Sequence, residues 1–179
     1  MRDIEVVRSV AALRAAVHSS RSGGARIGLV PTMGALHEGH LSLVRAARQR
    51  CDFVIVTIFV NPLQFNPGED LDSYPRDEAA DRRLLMQVGT DLLYAPDAME
   101  MYPAGFATEI RVRDLTRHLD GPFRPGHFEG VATVVTKLFN QAAPDLACFG
   151  EKDFQQLQVI RRFTRDLDLP VEIVGLETV

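Results

Sequence analysis

Short apolar runs and helical periodicities alternate along the chain. Arg26-Ile27-Gly28-Leu29-Val30 is an apolar run of strand type, and Leu41-Ser42-Leu43-Val44-Arg45-Ala46-Ala47-Arg48 repeats its apolar residues at helical spacing. Residues 52–60, Asp52-Phe53-Val54-Ile55-Val56-Thr57-Ile58-Phe59-Val60, are almost continuously apolar and rich in β-branched side chains, as a central parallel strand covered on both faces requires. That run stops at Asn61-Pro62. Ser9 is placed to cap a helix through about Ser20, closed by Gly23-Gly24. The pattern further predicts helices over 40–50, 77–89, 129–142 and 153–167, and strands over 91–94, 145–149 and 171–174. No repeat, low-complexity tract or linker interrupts it, so the whole chain, 1–179, reads as one domain. The alternation predicts an α/β fold with a doubly wound parallel sheet and right-handed crossovers. In such sheets ligands sit outside the carboxyl ends of the strands.

Composition narrows the class without naming a chemistry. The 179 residues are 46% hydrophobic and 25% charged, enough for a substantial core without disulfide staples. Cys51 and Cys148 lie beside strand-like runs and read as buried or half-buried thiols of a reducing compartment. No apolar stretch approaches membrane-spanning length, and Met1-Arg2-Asp3 is no secretory signal, so a cytoplasmic location without membrane partners is expected. A net charge of −4 argues against a nucleic-acid partner. Lys137 and Lys152 are the only two lysines, which marks Gly150-Glu151-Lys152-Asp153 as more than generic surface.

Candidate chemistry concentrates in Pro31-Thr32-Met33-Gly34-Ala35-Leu36-His37-Glu38-Gly39-His40, a turn between predicted strand and predicted helix. Backbone N–H groups at a helix N-terminus point outward unpaired and attract anions, and Gly34 and Gly39 allow close approach of backbone to ligand. His37 and His40 share a face if the helix begins near them. A triphosphate site is one reading of the pair; a metal pair or two surface histidines are the others. A zinc-protease motif is excluded, because its two histidines stand four apart. Asn61-Pro62-Leu63-Gln64-Phe65 follows the second predicted strand and Gly150–Gln156 the strand over 145–149, so three distant loops are expected to meet on one rim.

The motif His37-x-Gly39-His40 after a strand resembles the H-x-G-H signature of the nucleotidyltransferase superfamily. The whole segment 31–40, together with Phe59-Val60-Asn61-Pro62-Leu63-Gln64-Phe65, Tyr74-Pro75-Arg76, Arg124-Pro125-Gly126-His127-Phe128 and Cys148-Phe149-Gly150-Glu151-Lys152-Asp153-Phe154-Gln155-Gln156-Leu157, is similar to the pantoate–β-alanine ligase (pantothenate synthetase) family. The resemblance implies a Rossmann-like nucleotidyltransferase fold and an ATP-dependent ligation through a pantoyl adenylate. It implies ATP contacts at Met33, Gly34, Ala35, Leu36, His37, Glu38, Gly39, His40, Gly150, Glu151, Lys152, Asp153 and Val179, with His40 and Lys152 as the catalytic residues. It implies pantoate contacts at Gln64 and Gln156, with Gln64 also beside β-alanine, Mg²⁺ accompanying ATP, and a homodimer.

The metal ligands are not readable in the sequence; Asp81 is a weak candidate against the plainer reading of a solvated helix carboxylate. Arg124 and His127 either reach the rim or merely shape it. His18 and His118 are assigned to surface or packing, and Phe128, Phe139, Phe149 and Phe154 to the core. The family's Ser-Ser-Arg loop and smaller C-terminal lid domain do not occur in these residues, and Glu177 stands where proline is common. The chain is therefore expected to be the N-terminal half of a longer enzyme, weakly active or inactive alone. The alternatives are a related adenylyltransferase and a noncatalytic nucleotide- or pantoate-binding fragment.

Overall fold

The computed structural model describes residues 3–115 and 122–177. Its order is β1 (Glu5–Val7), α1 (Val10–Ser22), β2 (Ile27–Thr32), α2 (Glu38–Arg50), β3 (Phe53–Ile58), α3 (Glu78–Gln87), β4 (Leu92–Tyr94), α4 (Ala98–Met101), α5 (His127–Ala142), β5 (Leu146–Gly150), α6 (Phe154–Asp166) and β6 (Glu172–Leu176). The strands form a six-stranded sheet in the order β1-β4-β3-β2-β5-β6, and every pairing is parallel. The doubly wound α/β arrangement read from the sequence is the one observed.

The central strands pack an apolar layer on each face. Leu29, Ile55 and Ala147 share one cluster with Val131, Val135 and Phe139 of α5; Val30, Val56 and Cys148 share the other with Leu41, Val44 and Ala47 of α2. Both cysteines are buried and free, as expected. Phe128, Phe139 and Phe149 are core residues, whereas Phe154 is 62% exposed, a correction to its assignment. It opens α6 at the surface. No helix among the described residues is long and apolar enough to cross a membrane.

Ser9 caps α1 as predicted, with the Ala12 N–H donating to its Oγ at 3.1 Å. Three elements escaped the periodicity: β1, α4, and a 3-10 turn over Pro62–Gln64. Each is too short to register a period. The helix predicted over 40–50 begins two residues earlier, at Glu38, with His37 as its N-cap. His18 lies on α1, whereas His118 falls outside the described residues.

One contact locks the rim. A Cβ on Gly130 would lie 2.4 Å from the Leu63 carbonyl oxygen and 2.8 Å from the Gln64 nitrogen, so α5 meets the 3-10 turn backbone to backbone. Overpacking of this kind typically costs about 1–3 kcal/mol, and Gly130→Ala is expected to lower stability by that amount. Urea unfolding checks it; an unchanged midpoint would mean that the turn yields freely.

Candidate active site

The loop leaving β2 is held from several sides. Thr32 Oγ1 donates to the Thr57 carbonyl at 2.7 Å and accepts the Gly34 N–H at 3.2 Å. Gly34 and Ala35 both have positive φ, +81° and +51°, turning the chain sharply away from the sheet. The N–H groups of Ala35 and Leu36 donate to the two carboxylate oxygens of Asp81 at 3.1 and 2.9 Å. The His37 N–H donates to His40 Nδ1 at 3.3 Å, and the Gly39 N–H donates to His37 Nδ1 at 3.1 Å.

These bonds correct two expectations. The amides of Gly34, Ala35, Leu36, His37 and Gly39 are engaged by the protein's own side chains, so they are not the open anion cradle that the strand-turn-helix pattern suggested. What the turn offers outward is the imidazoles. Asp81, in turn, is only 4% exposed rather than solvated. Both its oxygens serve backbone donors, which leaves it poorly suited to the metal role also weighed for it.

His40 has its proton placed by this geometry. Its Nδ1 accepts, so the neutral ring carries hydrogen on Nε2. Burial is the main cause pushing its pKa down to about 4, helped by His37, whose ring centre is 4.1 Å away, and opposed by Asp81. At neutral pH it is therefore an uncharged N–H donor.

Gln64 is fixed from the opposite side. Asn61, 1% exposed, caps the 3-10 turn and accepts from the Leu63 N–H at 3.3 Å and the Tyr102 hydroxyl at 2.7 Å. Its Nδ2 donates to the Gly130 carbonyl and to Gln64 Oε1, both at 3.0 Å. With two donors facing its oxygen and two acceptors facing its nitrogen, the Asn61 amide has one satisfactory orientation. It takes up the carbonyl end of Gln64. His127 Nδ1 lies 3.1 Å from the Gln64 backbone carbonyl, so this imidazole donates from Nδ1; burial lowers its pKa despite that bond. Sequence reading singled out the segment of Asn61 and Gln64 but not Tyr102 or the bond from Asn61 to Gly130, since those partners are distant in the chain.

Two adjoining cavities occupy this rim. A cavity of about 200 Å³ is lined by Met33, His40, Asn61, Gln64, Tyr74 and Gln156 over an apolar floor of Val131, Val134, Val135 and Leu138. A second, of about 380 Å³, takes in Arg124, His127, Lys152 and Phe154. Met33, Gln64, Asp153 and Gln156 line both, making one continuous cleft. Lys152 is exposed and pairs with no carboxylate among the described residues. Arg124 reaches the rim and lies 3.5 Å from Glu69.

Other members of the predicted set stand back from the cleft. Leu36 is buried in the core, Glu38 pairs with Arg45, and Gly39 is buried in the first turn of α2. Gly34 and Asp81 line a neighbouring cavity of about 340 Å³, which shares Met33 and Phe59 with the first. Ala35 acts through its backbone, and His37 is exposed beside His40. Gly150 ends β5, and the Glu151 N–H donates to the Leu176 carbonyl at 2.9 Å. Val179 lies outside the described residues.

The family model described as pantoate-beta-alanine ligase matches residues 5–179. The chain belongs to that family. A pantothenate synthetase of Rhizorhabdus wittichii is 60% identical over 175 residues, covering 98% of this chain and 62% of the relative. The crystal structure of pantothenate synthetase from Thermus thermophilus superposes with a TM-score of 0.93 at 55% identity, covering 98% of this chain and 62% of that one. A pantoate-beta-alanine ligase from Francisella tularensis, solved with β,γ-ATP and β-alanine, gives a TM-score of 0.94 at 36% identity, covering 98% and 67%. The chain thus spans about 62% of the length of the curated relatives it matches.

Two outcomes follow from this ligase-family cleft. The His40 imidazole is expected to titrate near pH 4 by NMR rather than near 6.5. Since the unfolded chain binds that proton more readily, this residue's contribution makes stability fall as pH drops from about 6.5 towards about 4, and a His40→Gln variant should lose that part of the slope. Asn61→Asp leaves the Gly130 carbonyl and Gln64 Oε1 without their donor. It is expected to cost about 1–3 kcal/mol in urea unfolding.

Proposed function

We propose that the protein ligates pantoate to β-alanine at the expense of ATP, and that the cleft holding His40, Gln64, Lys152 and Gln156 is where it does so. The observation that carries this reading is the convergence of three loops, far apart in sequence, on one rim of a sheet whose chain belongs to the pantoate-beta-alanine ligase family. The relative solved with β,γ-ATP and β-alanine supports the choice of nucleotide and amine.

In this reading the pantoate carboxylate attacks the α-phosphorus of ATP. An oxygen–phosphorus bond forms, the bond to the β-phosphate oxygen breaks, and pyrophosphate leaves. The amine of β-alanine then attacks the acyl carbon, loses a proton, and releases AMP. Charge grows on the α-phosphate oxygens in the first step, so donors aimed there lower the barrier. His40 Nε2–H serves as such a donor and needs no proton uptake to do so. Lys152, exposed and uncommitted, supplies a cation to the phosphates. Gln64, with its carbonyl end held by Asn61, presents its NH₂ group to the carboxylate or hydroxyl oxygens of pantoate, and Gln156 contacts pantoate from α6. The four apolar residues of α5 suit the substrate's aliphatic body.

Residues 33–40 and 150–153 are assigned to ATP, some by contact and others, such as Leu36 and Gly39, by holding the loop. Magnesium is assigned to the triphosphate itself; among the described residues no three of His, Cys, Asp and Glu gather to hold an ion. A cytoplasmic homodimer joined through this domain completes the proposal, on the resemblance to the family alone.

Exchange of labelled pyrophosphate into ATP, dependent on pantoate, tests the reading. His40→Ala is expected to lower that exchange by about 10² to 10³, as for one lost oxyanion donor. Retention of more than half the rate would remove His40 from the chemistry. Exchange stimulated by another acid but not by pantoate would favour a related adenylyltransferase.

A further inference from the structure

Among the described residues Asp81 is the one buried carboxylate, it holds the loop of His37 and His40, and the reaction outlined above gives it nothing to do. It sits on α3, 45 residues beyond Leu36, and lines the neighbouring cavity, not the two that make up the cleft. Its two oxygens take consecutive backbone donors, Ala35 N–H and Leu36 N–H. Those amides belong to the most restricted stretch of the loop: Gly34 and Ala35 are both left-handed, a conformation that a residue bearing a Cβ adopts only when its surroundings impose it. A Cβ on Gly34 would lie 3.1 Å from Asp81 Oδ2 and 3.1 Å from Ile58 Cγ2, so the carboxylate fills the space that a side chain there would need.

The next amide along is the one that matters for chemistry. After Leu36 N–H, held by Asp81, comes His37 N–H, which donates to His40 Nδ1. The two N–H groups belong to consecutive peptide planes hinged at the Leu36 Cα, whose side chain is buried, so turning the first plane to free Leu36 N–H also displaces the second and its His37 N–H from the imidazole. Without that donor, the bond that keeps the proton off His40 Nδ1 is gone, and the Nδ1–H tautomer becomes populated beside Nε2–H. The placement of hydrogen on Nε2, the ring nitrogen that the loop leaves unengaged, is thereby traced to a carboxylate on α3.

We infer that Asp81 is a positioning residue, which fixes the tautomer and aim of His40 through the amides of 35–37 without itself touching what the cleft binds. This rests on the reading of the cleft given above as a nucleotide site. It differs from a purely structural role in what it predicts, because a carboxylate that only stabilised the fold would leave the imidazole tautomer unchanged in any variant that remained folded.

The experiment uses the 179-residue chain labelled with ¹⁵N, with Asp81→Asn and Asp81→Ala variants, and reads the backbone amides, the His40 ring nitrogens and ATP affinity by calorimetry. In the native chain the Ala35 and Leu36 amides are expected at low field and His40 as the Nε2–H tautomer alone. In Asp81→Asn both amides move upfield, the two ring nitrogens of His40 become averaged, and ATP affinity falls about tenfold or more, as for loss of a charge-assisted hydrogen bond. The pantoate-side resonances of Gln64 and Asn61 stay in place. A folded Asp81→Asn protein with the native tautomer overturns the inference, as does a native chain whose His40 is already a mixture. If Asp81→Ala does not fold, Asp81→Asn and the native spectrum still decide. A native chain that binds no ATP would defeat the functional reading, while the tautomer comparison would continue to judge the role of Asp81 separately.

Discussion

A parallel sheet buried on both faces can show chemistry only where its strands end, and that constraint organises this molecule. β2, β3 and β5 stand side by side at the centre, with Thr32 in register with Ile58 and Leu29 with Ala147. Their side chains are committed to two apolar layers, so the loops that leave their carboxyl ends inherit all the available polar groups. Those loops are then fixed by further contacts: Thr32 and Asp81 on the first, Asn61 and Gly130 on the second, and the start of α6 on the third.

Most of the scaffold was legible because it obeys this rule. The unbroken apolar run at 52–60 announced a central strand, and the alternation around it announced the crossovers. The positions of His40, Gln64, Lys152 and Gln156 after successive strands were enough to bring them to one edge. β1 and α4 are too short to show a full repeat of their own, whereas β4, as short, was revealed by its place after the helix predicted over 77–89. They form because neighbours hold them, Glu5 to Val7 pairing with Leu92 to Tyr94.

The parts of the site that escaped sequence reading share a physical character. They are polar groups whose partners lie far along the chain. Asn61 stands where a strand ends and accepts the Leu63 N–H of the turn that follows; that local role hides its bond to Gly130, 69 residues away. Asp81 looked like any acidic residue in the first turn of a helix. Phe154 erred in the other direction, because a large aromatic beside an apolar helix is ordinarily core, and here it stands at the mouth of the cleft. The helix start at Glu38 was likewise hidden by Gly39, which a propensity scale places outside a helix and whose N–H the His37 side chain holds within one.

The satisfied amides of the β2–α2 loop have a consequence for how a ligand is met. Anion-binding loops that keep their N–H groups open lie in wait for a phosphate to order them, and occupancy and folding of the loop then rise together. Here the loop closes upon itself when the chain folds. Its entropy is surrendered before any guest arrives, so association should resemble a key entering a finished lock, with little heat-capacity change arising from this turn and selectivity expressed in the rate of escape rather than the rate of entry.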